Sequence, residues 1–314
     1  GKASLNAEIY GWYELDYACL PGYEIFGNRD EIINLIGVDM TSSPYNKYII
    51  FIGGDCGPYN MGAVGDLGGG EMILGTRDLN QSIQTSYLEK SSLGMTTTER
   101  VLFHEYGHML GAVPYTTHSA YFGCNINEYC YDGNLVEETG NYIDILGTGW
   151  VARDGYDFNA GIKKFFGWID QSDLEIIKNS GTYKMKPVEE KGANLFLLDT
   201  KKDLNEIARR YYLLEYRAPI NYDVDLKRGN IDNSGIAVYV STLVIDQLLN
   251  KASIILDGII DTTPSNDQSY SVPPLSTSPL KSRYDMTIHE GKEFFDRENK
   301  IKIKNLGKNP DGSY

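Results

Sequence analysis

The sequence predicts an α+β chain in two parts: a mixed, twisted sheet with one well-defined helix over residues 1–170, and a β-rich, sandwich-like region over 171–314. Three observations carry that expectation. Short apolar runs bounded by glycine punctuate the first hundred or so residues, and a single helix with recognisable ends follows at "MTTTERVLFHEYGHMLG". From about Gly181 onward, strand-like runs alternate with Asn, Asp, Gly and Pro.

Taken in order, "AEIYGWYELDYACL" alternates as a strand does, and "EIFGNRDEIINLIG" spaces Ile25, Ile32, Ile33 and Ile36 as a helix does. "KYIIFIGG" is an apolar run ending in glycines, which suits a buried strand. The glycine-rich "CGPYNMGAVGDLGGGEMILGT" reads as loop and irregular strand; because it does not open directly into a helix, a phosphate-cradling role is set aside. Thr96 and Glu99 then have the spacing of a capping box, and Gly111 stands where a helix C-cap belongs. "FNAGIKKFFGWI" reads as an amphipathic helix closing the first part. Beyond it, "GTYKMKP", "ANLFLLDT", "ARRYYLLEYRA", "GIAVYVSTLV" and "NKIKIKNL" are expected as strands, and "TTPSNDQSYSVPPLSTSPLKS" as a long exposed loop.

Composition narrows the class. A chain of 314 residues can bury its cores without staples. A formal net charge of −14 argues against a nucleic-acid partner, since phosphate binding needs an excess of Lys and Arg. No apolar run approaches the roughly 18 residues of a membrane span. Cys19, Cys56, Cys124 and Cys130 suit an oxidising compartment; of their possible pairings, nearness in sequence favours Cys19 with Cys56 and Cys124 with Cys130. The opening "GKASLNAEIYGW" has neither an initiator Met nor an apolar signal region, so the expected form is one that has lost its targeting segment, which says nothing about secretion. A secreted or cell-surface chain is expected on its cysteine usage, and a monomer is expected.

The chemistry concentrates in "HEYGHMLGAVPYTTH". Three of the chain's four histidines lie here, His104, His108 and His118, with only His289 elsewhere. A four-residue spacing on a helix sets the imidazoles of His104 and His108 on one face, with Glu105 beside them. Catalytic zinc takes three protein ligands and keeps one position open, so a helix supplying two histidines leaves the third ligand to arrive from elsewhere. Gly111 lets the chain turn sharply, and His118 comes seven residues later. His289, in "TIHEGKEFF", is expected to be an ordinary surface or strand histidine. Acidic loops such as "DLNQ" and "DGYDFN" would admit Ca2+, though none has the full ligand spacing.

"HEYGHMLG" followed by "HS" resembles the His-Glu-x-x-His-x-x-Gly-x-x-His-Ser signature of the gametolysin-like metallopeptidases, a branch of the metzincins. "NYIDILGTGW" with "DFNAGIKKFFGWI" is similar to that family's Asp-x-Met-Gly, Phe-Asn-Ala and Gly-Trp segment, and "YYLLEYRAPINYD" to its Tyr-Tyr-Leu-Glu-Tyr-Arg element. Two departures stand out. Six residues, "AVPYTT", separate Gly111 from His118 where the family has two; Glu128, Glu137 or Glu138 would be the substitute third ligand. Leu146 stands where the family's Met-turn places methionine under the metal, and leucine fills such a floor with similar volume. Asp144 is expected to bond backbone amides near that turn.

The resemblance implies a metzincin-like zinc endopeptidase acting on extracellular or cell-surface proteins and glycoproteins. Zn2+ would be held by His104, His108 and His118, with Glu105 as the general base that activates water and returns the proton to the leaving amine. It also implies an extended substrate paired to the sheet edge that precedes the helix, taken here as Met72, Ile73 and Leu74. Tyr142, with Tyr115 and Tyr121, is a candidate helper near the site. The alternative is a binding or adhesion module that keeps the zinc fold without useful turnover, against which the intact Glu105 argues. A zinc hydrolase of small amides is the third reading, and it would need a deep closed pocket.

Overall fold

A computed structural model of the chain describes residues 34, 37, 48–52, 63–65, 71–75, 97–112, 120–121, 136–137, 141, 143–148, 157–190, 195–205, 208–228, 231–246, 251–260, 262, 286–296, 299–309 and 313. The first expected strand and most of the helix after it lie outside these residues, as do the four cysteines and all of the long loop but Thr262. The chain forms two compact units, one of residues 1–90 with 94–112, the other of 91–93 with 113–314. The division expected after residue 170 therefore falls inside the second unit. The reason is packing: Ile143, Ala160 and Ile169 enter the same core cluster as Leu195, Leu213 and Tyr239.

In the first unit, β1 (Tyr48–Ile52), β2 (Ala63–Gly65) and β3 (Glu71–Gly75) form a mixed sheet in the order β1-β3-β2. β3 runs parallel to β1, from Tyr48 opposite Glu71 to Ile52 opposite Gly75. β2 pairs antiparallel with the other side of β3, setting Gly65, Val64 and Ala63 opposite Met72, Ile73 and Leu74. This corrects the expectation of a free edge at those three residues, because β2 already takes their backbone hydrogen bonds. Among the described residues the outer strands are β1 and β2. Helix α1 (Thr97–Met109) lies against β2 and β3.

The second unit is built on one seven-stranded sheet. Its strands are β4 (Ala120–Tyr121), β5 (Val136–Glu137), β6 (Leu174–Ile177), β7 (Leu195–Asn205), β8 (Ala208–Arg217), β11 (Gly235–Asp246) and β12 (Lys251–Ile260), in the order β5-β4-β12-β11-β8-β7-β6. The long central strands β12, β11, β8 and β7 are antiparallel, while β4 joins β12 and β6 joins β7 in parallel. The remaining strands form two small ribbons, β9 (Lys227–Arg228) with β10 (Ile231–Asp232) and β13 (Glu293–Asp296) with β14 (Ile301–Lys304).

Side chains leave a strand alternately to its two faces, and here both faces are buried. β8 sends Tyr211 and Leu213 to one cluster and Tyr212, Leu214 and Tyr216 to the other; β11 divides Ala237 and Tyr239 from Ile236, Val238 and Val240 in the same way. On the first face the cover includes Ile143 and, from helix α3 (Ala160–Phe165), Ala160. On the second it includes Phe294 and Ile303 of the β13–β14 hairpin. Instead of two large facing sheets, one sheet has helical segments on one side and a two-stranded ribbon on the other. That is why "YYLL" and "IAVYV" are continuously apolar rather than alternating. "GTYKMKP" forms no strand of its own; Pro187 makes an isolated bridge to Tyr216.

The short helix α2 (Ile145–Thr148) and the start of α3 are tied down by buried polar groups. Asp144 accepts hydrogen bonds from the amides of Leu146 at 2.7 Å and Asn159 at 2.5 Å, the role its sequence position suggested. The Asn159 side chain caps α3 by accepting from the amide of Ile162 at 2.9 Å. Glu215 of β8 accepts from the amide of Ala160 at 2.6 Å and from the hydroxyl of Tyr239 at 2.7 Å. Arg217, fully buried, donates to the carbonyls of Phe158 and Asp157 and to Asp223 Oδ1 at 2.6 Å, and lies 3.4 Å from Glu215 Oε1. Burial opposes its charge, but Asp223, Glu215 and Glu189 outweigh burial and hold the guanidinium protonated.

Gly147 fits this turn because it has no side chain. A Cβ there would come within 2.0 Å of the carbonyl oxygen of Asn141. Gly147→Ala is accordingly expected to cost about 3 kcal/mol through overpacking against backbone, read as a lowered urea midpoint.

Candidate metal centre

The site is built by α1 and by the way that helix stops. At its C-terminus Gly111 takes a φ of 98°, a left-handed conformation that glycine adopts without a Cβ penalty. The amide of Gly111 donates to the carbonyl of His108 at 2.8 Å, and the amide of Ala112 to that of Gly107 at 3.1 Å. These paired bonds make a Schellman cap, so Gly111 ends the helix as its position in the sequence predicts. Thr96, the expected N-terminal capping residue, lies outside the described residues, one position before the helix begins at Thr97.

The cap also orients a ligand. It brings the carbonyl of Ala112 to 3.0 Å from His108 Nδ1. A carbonyl only accepts, so the proton sits on Nδ1 and the lone pair of His108 is on Nε2. That Nε2 lies 3.1 Å from Nε2 of His104, with the two rings nearly perpendicular at 89°. Two nitrogens on one tetrahedral zinc stand about 3.3–3.4 Å apart, given Zn–N bonds of about 2.0–2.1 Å. Burial pushes the His108 imidazole below its usual pKa, with the bond to Ala112 pulling the other way. The neutral form is the one that binds metal. One ligand atom each from His104, Glu105 and His108 lies within 4.8 Å of the others. The donor set therefore fits a divalent ion that prefers nitrogen ligands.

Of the other residues singled out by sequence, His118, Glu128, Glu138, Tyr115 and Tyr142 lie outside the described residues. Glu137 is in β5 and Tyr121 in β4, both in the second unit. Leu146 is completely buried in α2 of that unit. His289 is partly buried, and its carbonyl accepts from the amide of Lys292 in a turn rather than a strand. Met72, Ile73 and Leu74 are in β3. The spacing of His104 and His108 gave no sign of Ala112, whose part depends on the cap; a glycine at the end of a helix bearing paired histidines is the signal that could have pointed to it.

No family model, curated protein or solved structure matches the chain. Among the described residues no helix is long and apolar enough to cross a membrane.

Gly111→Ala tests the link between cap and ligand. It is expected to cost about 1–2 kcal/mol in the helix, because alanine is strained at this φ. Misplacing the Ala112 carbonyl should also weaken Zn2+ binding about 10–100-fold, measured by competition with a chromogenic chelator.

Proposed function

We propose that the chain is a zinc-dependent endopeptidase of the gametolysin-like, metzincin type, acting outside the cell on proteins or glycoproteins. The observation that carries this reading is the convergence of His104 Nε2 and His108 Nε2 beside Glu105 on a capped helix. His118 is the proposed third ligand, on the strength of the motif. A bound zinc ion would supply Lewis acidity, polarising the scissile carbonyl and making water acidic enough to deprotonate near neutral pH. Glu105, held beside the ligands by its place on the helix, accepts the proton from water and returns it to the leaving amine. His108 contributes a neutral ring whose orientation is fixed by Ala112. The glycoprotein substrate class and the extracellular setting rest on the motif resemblance alone.

The test is elemental analysis joined to cleavage of an unstructured protein such as casein. Equimolar zinc, with activity lost to chelator and restored by Zn2+, supports the reading. Loss of zinc in His118→Ala identifies the third ligand. A folded protein that takes up no zinc from a zinc-containing buffer overturns the proposal, while tight zinc with no cleavage of any protein favours the binding module.

A further inference from the structure

Away from the metal centre, one guanidinium serves three buried carboxyl groups. Around Arg217, Glu215 Oε1 lies at 3.4 Å, Asp223 Oδ1 at 2.6 Å and Glu189 Oε1 at 3.6 Å, and all four side chains are at most 1% exposed. Glu215 is satisfied by Ala160 and Tyr239. Glu189 and Asp223 are not: both oxygens of Glu189 and Oδ2 of Asp223 are buried without a hydrogen-bond donor. Two buried carboxylates left this way would carry repulsion and a desolvation penalty together. Among the described residues, three such ligand atoms come close enough to share an ion only at His104, Glu105 and His108.

We infer that Glu189 holds a proton at neutral pH, and that this proton, facing Asp223, latches the Asp157–Ala160 segment onto β8. With it, the Glu189 carboxyl becomes a donor to Asp223, and Arg217 balances the charge that remains. Asp223 Oδ1 can then keep accepting from Arg217 and from the amide of Asp157 at 2.8 Å. When the proton leaves to hydroxide, two like charges face each other in a site closed to water, and these bonds are lost with the segment they anchor. The remaining charged and titratable groups around the site are Lys163 of α3, which donates to Asp157, then Glu215, Tyr239 and Asp144. Burial, then the neighbouring Asp223, pushes the Glu189 carboxyl up to about 10. Burial raises Asp144 to about 7, against the pull of its amide bonds and Arg217.

The direction follows from linkage. A carboxyl whose pKa is raised on folding binds more protons in the native state, so its contribution falls as pH rises from the unfolded value toward the folded one. Asp144 completes its share near neutrality, which leaves the range above about pH 8 to Glu189. Glu189→Gln keeps a donor at the same place but has no proton to lose.

Hydrogen exchange of peptides spanning 157–166, corrected for intrinsic rates, and urea unfolding should be measured from about pH 6 to 9. In the wild type the opening equilibrium is expected to rise with pH by up to about tenfold per unit, and above about pH 8 Glu189→Gln should flatten that rise. A variant that keeps the wild-type slope overturns the proposal. Should Glu189→Gln fail to fold, infrared spectroscopy of the wild type decides: a buried protonated carboxyl band persisting above about pH 8 supports the latch, and its absence sinks it.

Discussion

On the proposed zinc-peptidase reading, Glu105→Gln is expected to keep bound zinc and to lose about 10²–10⁴-fold in kcat, the contribution of a positioned general base. Gln preserves the volume and the polar end of the side chain but cannot accept a proton. The two imidazoles that converge at 3.1 Å are untouched by the change. Metal content and kcat must be measured on the same sample, because the two together separate a lost base from a lost ligand. A variant that retains wild-type turnover would remove Glu105 from the mechanism, and one that loses its metal would make Glu105 a ligand.

The second large effect concerns the second unit. Arg217→Met should destabilise it by about 3–5 kcal/mol, the range for removing one partner from a buried ion pair. Methionine supplies the volume, so the loss would not come from a cavity. It comes from leaving Glu215, Asp223 and Glu189 without the guanidinium they share, and the carbonyls of Asp157 and Phe158 without its donors. Urea unfolding monitored by far-UV circular dichroism would measure it. A change within about 0.5 kcal/mol would mean that the pairing of this guanidinium with the carboxyl groups adds no net stability.

The local features of helix α1 were legible because they depend on residues a few positions apart. Spacing alone places His104 and His108 on one face, and Gly111 announces its own conformation. Long strands such as "ARRYYLLEYRA" and "GIAVYVSTLV" were legible for the same reason, and correspond to β8 and β11. What sequence did not reveal depends on partners far along the chain. Nothing in "EMILG" says that Ala63–Gly65 takes its outer side. Nothing in "DFNAG" says that its amides are received by Asp144, Glu215 and Asp223. The division expected after residue 170 falls within the second compact unit on the same ground: a helix that looks terminal in sequence is a cover for strands that come later. His118 and the cysteines remain statements about sequence.

The stop at Gly111 separates the geometry of the helix end from whatever length of chain comes next. Its two closing hydrogen bonds are satisfied by Gly107 and His108, and the support for the His108 ring comes from Ala112, so none of them depends on residue 113 or beyond. If His118 closes a ring through the metal, the six residues between it and Gly111 enter as polymer length rather than as helix distortion. Lengthening such a loop from two residues to six costs about 1 kcal/mol in closure entropy. On that reading insertions there are cheap, and the length of chain can vary while His104 and His108 stay in register.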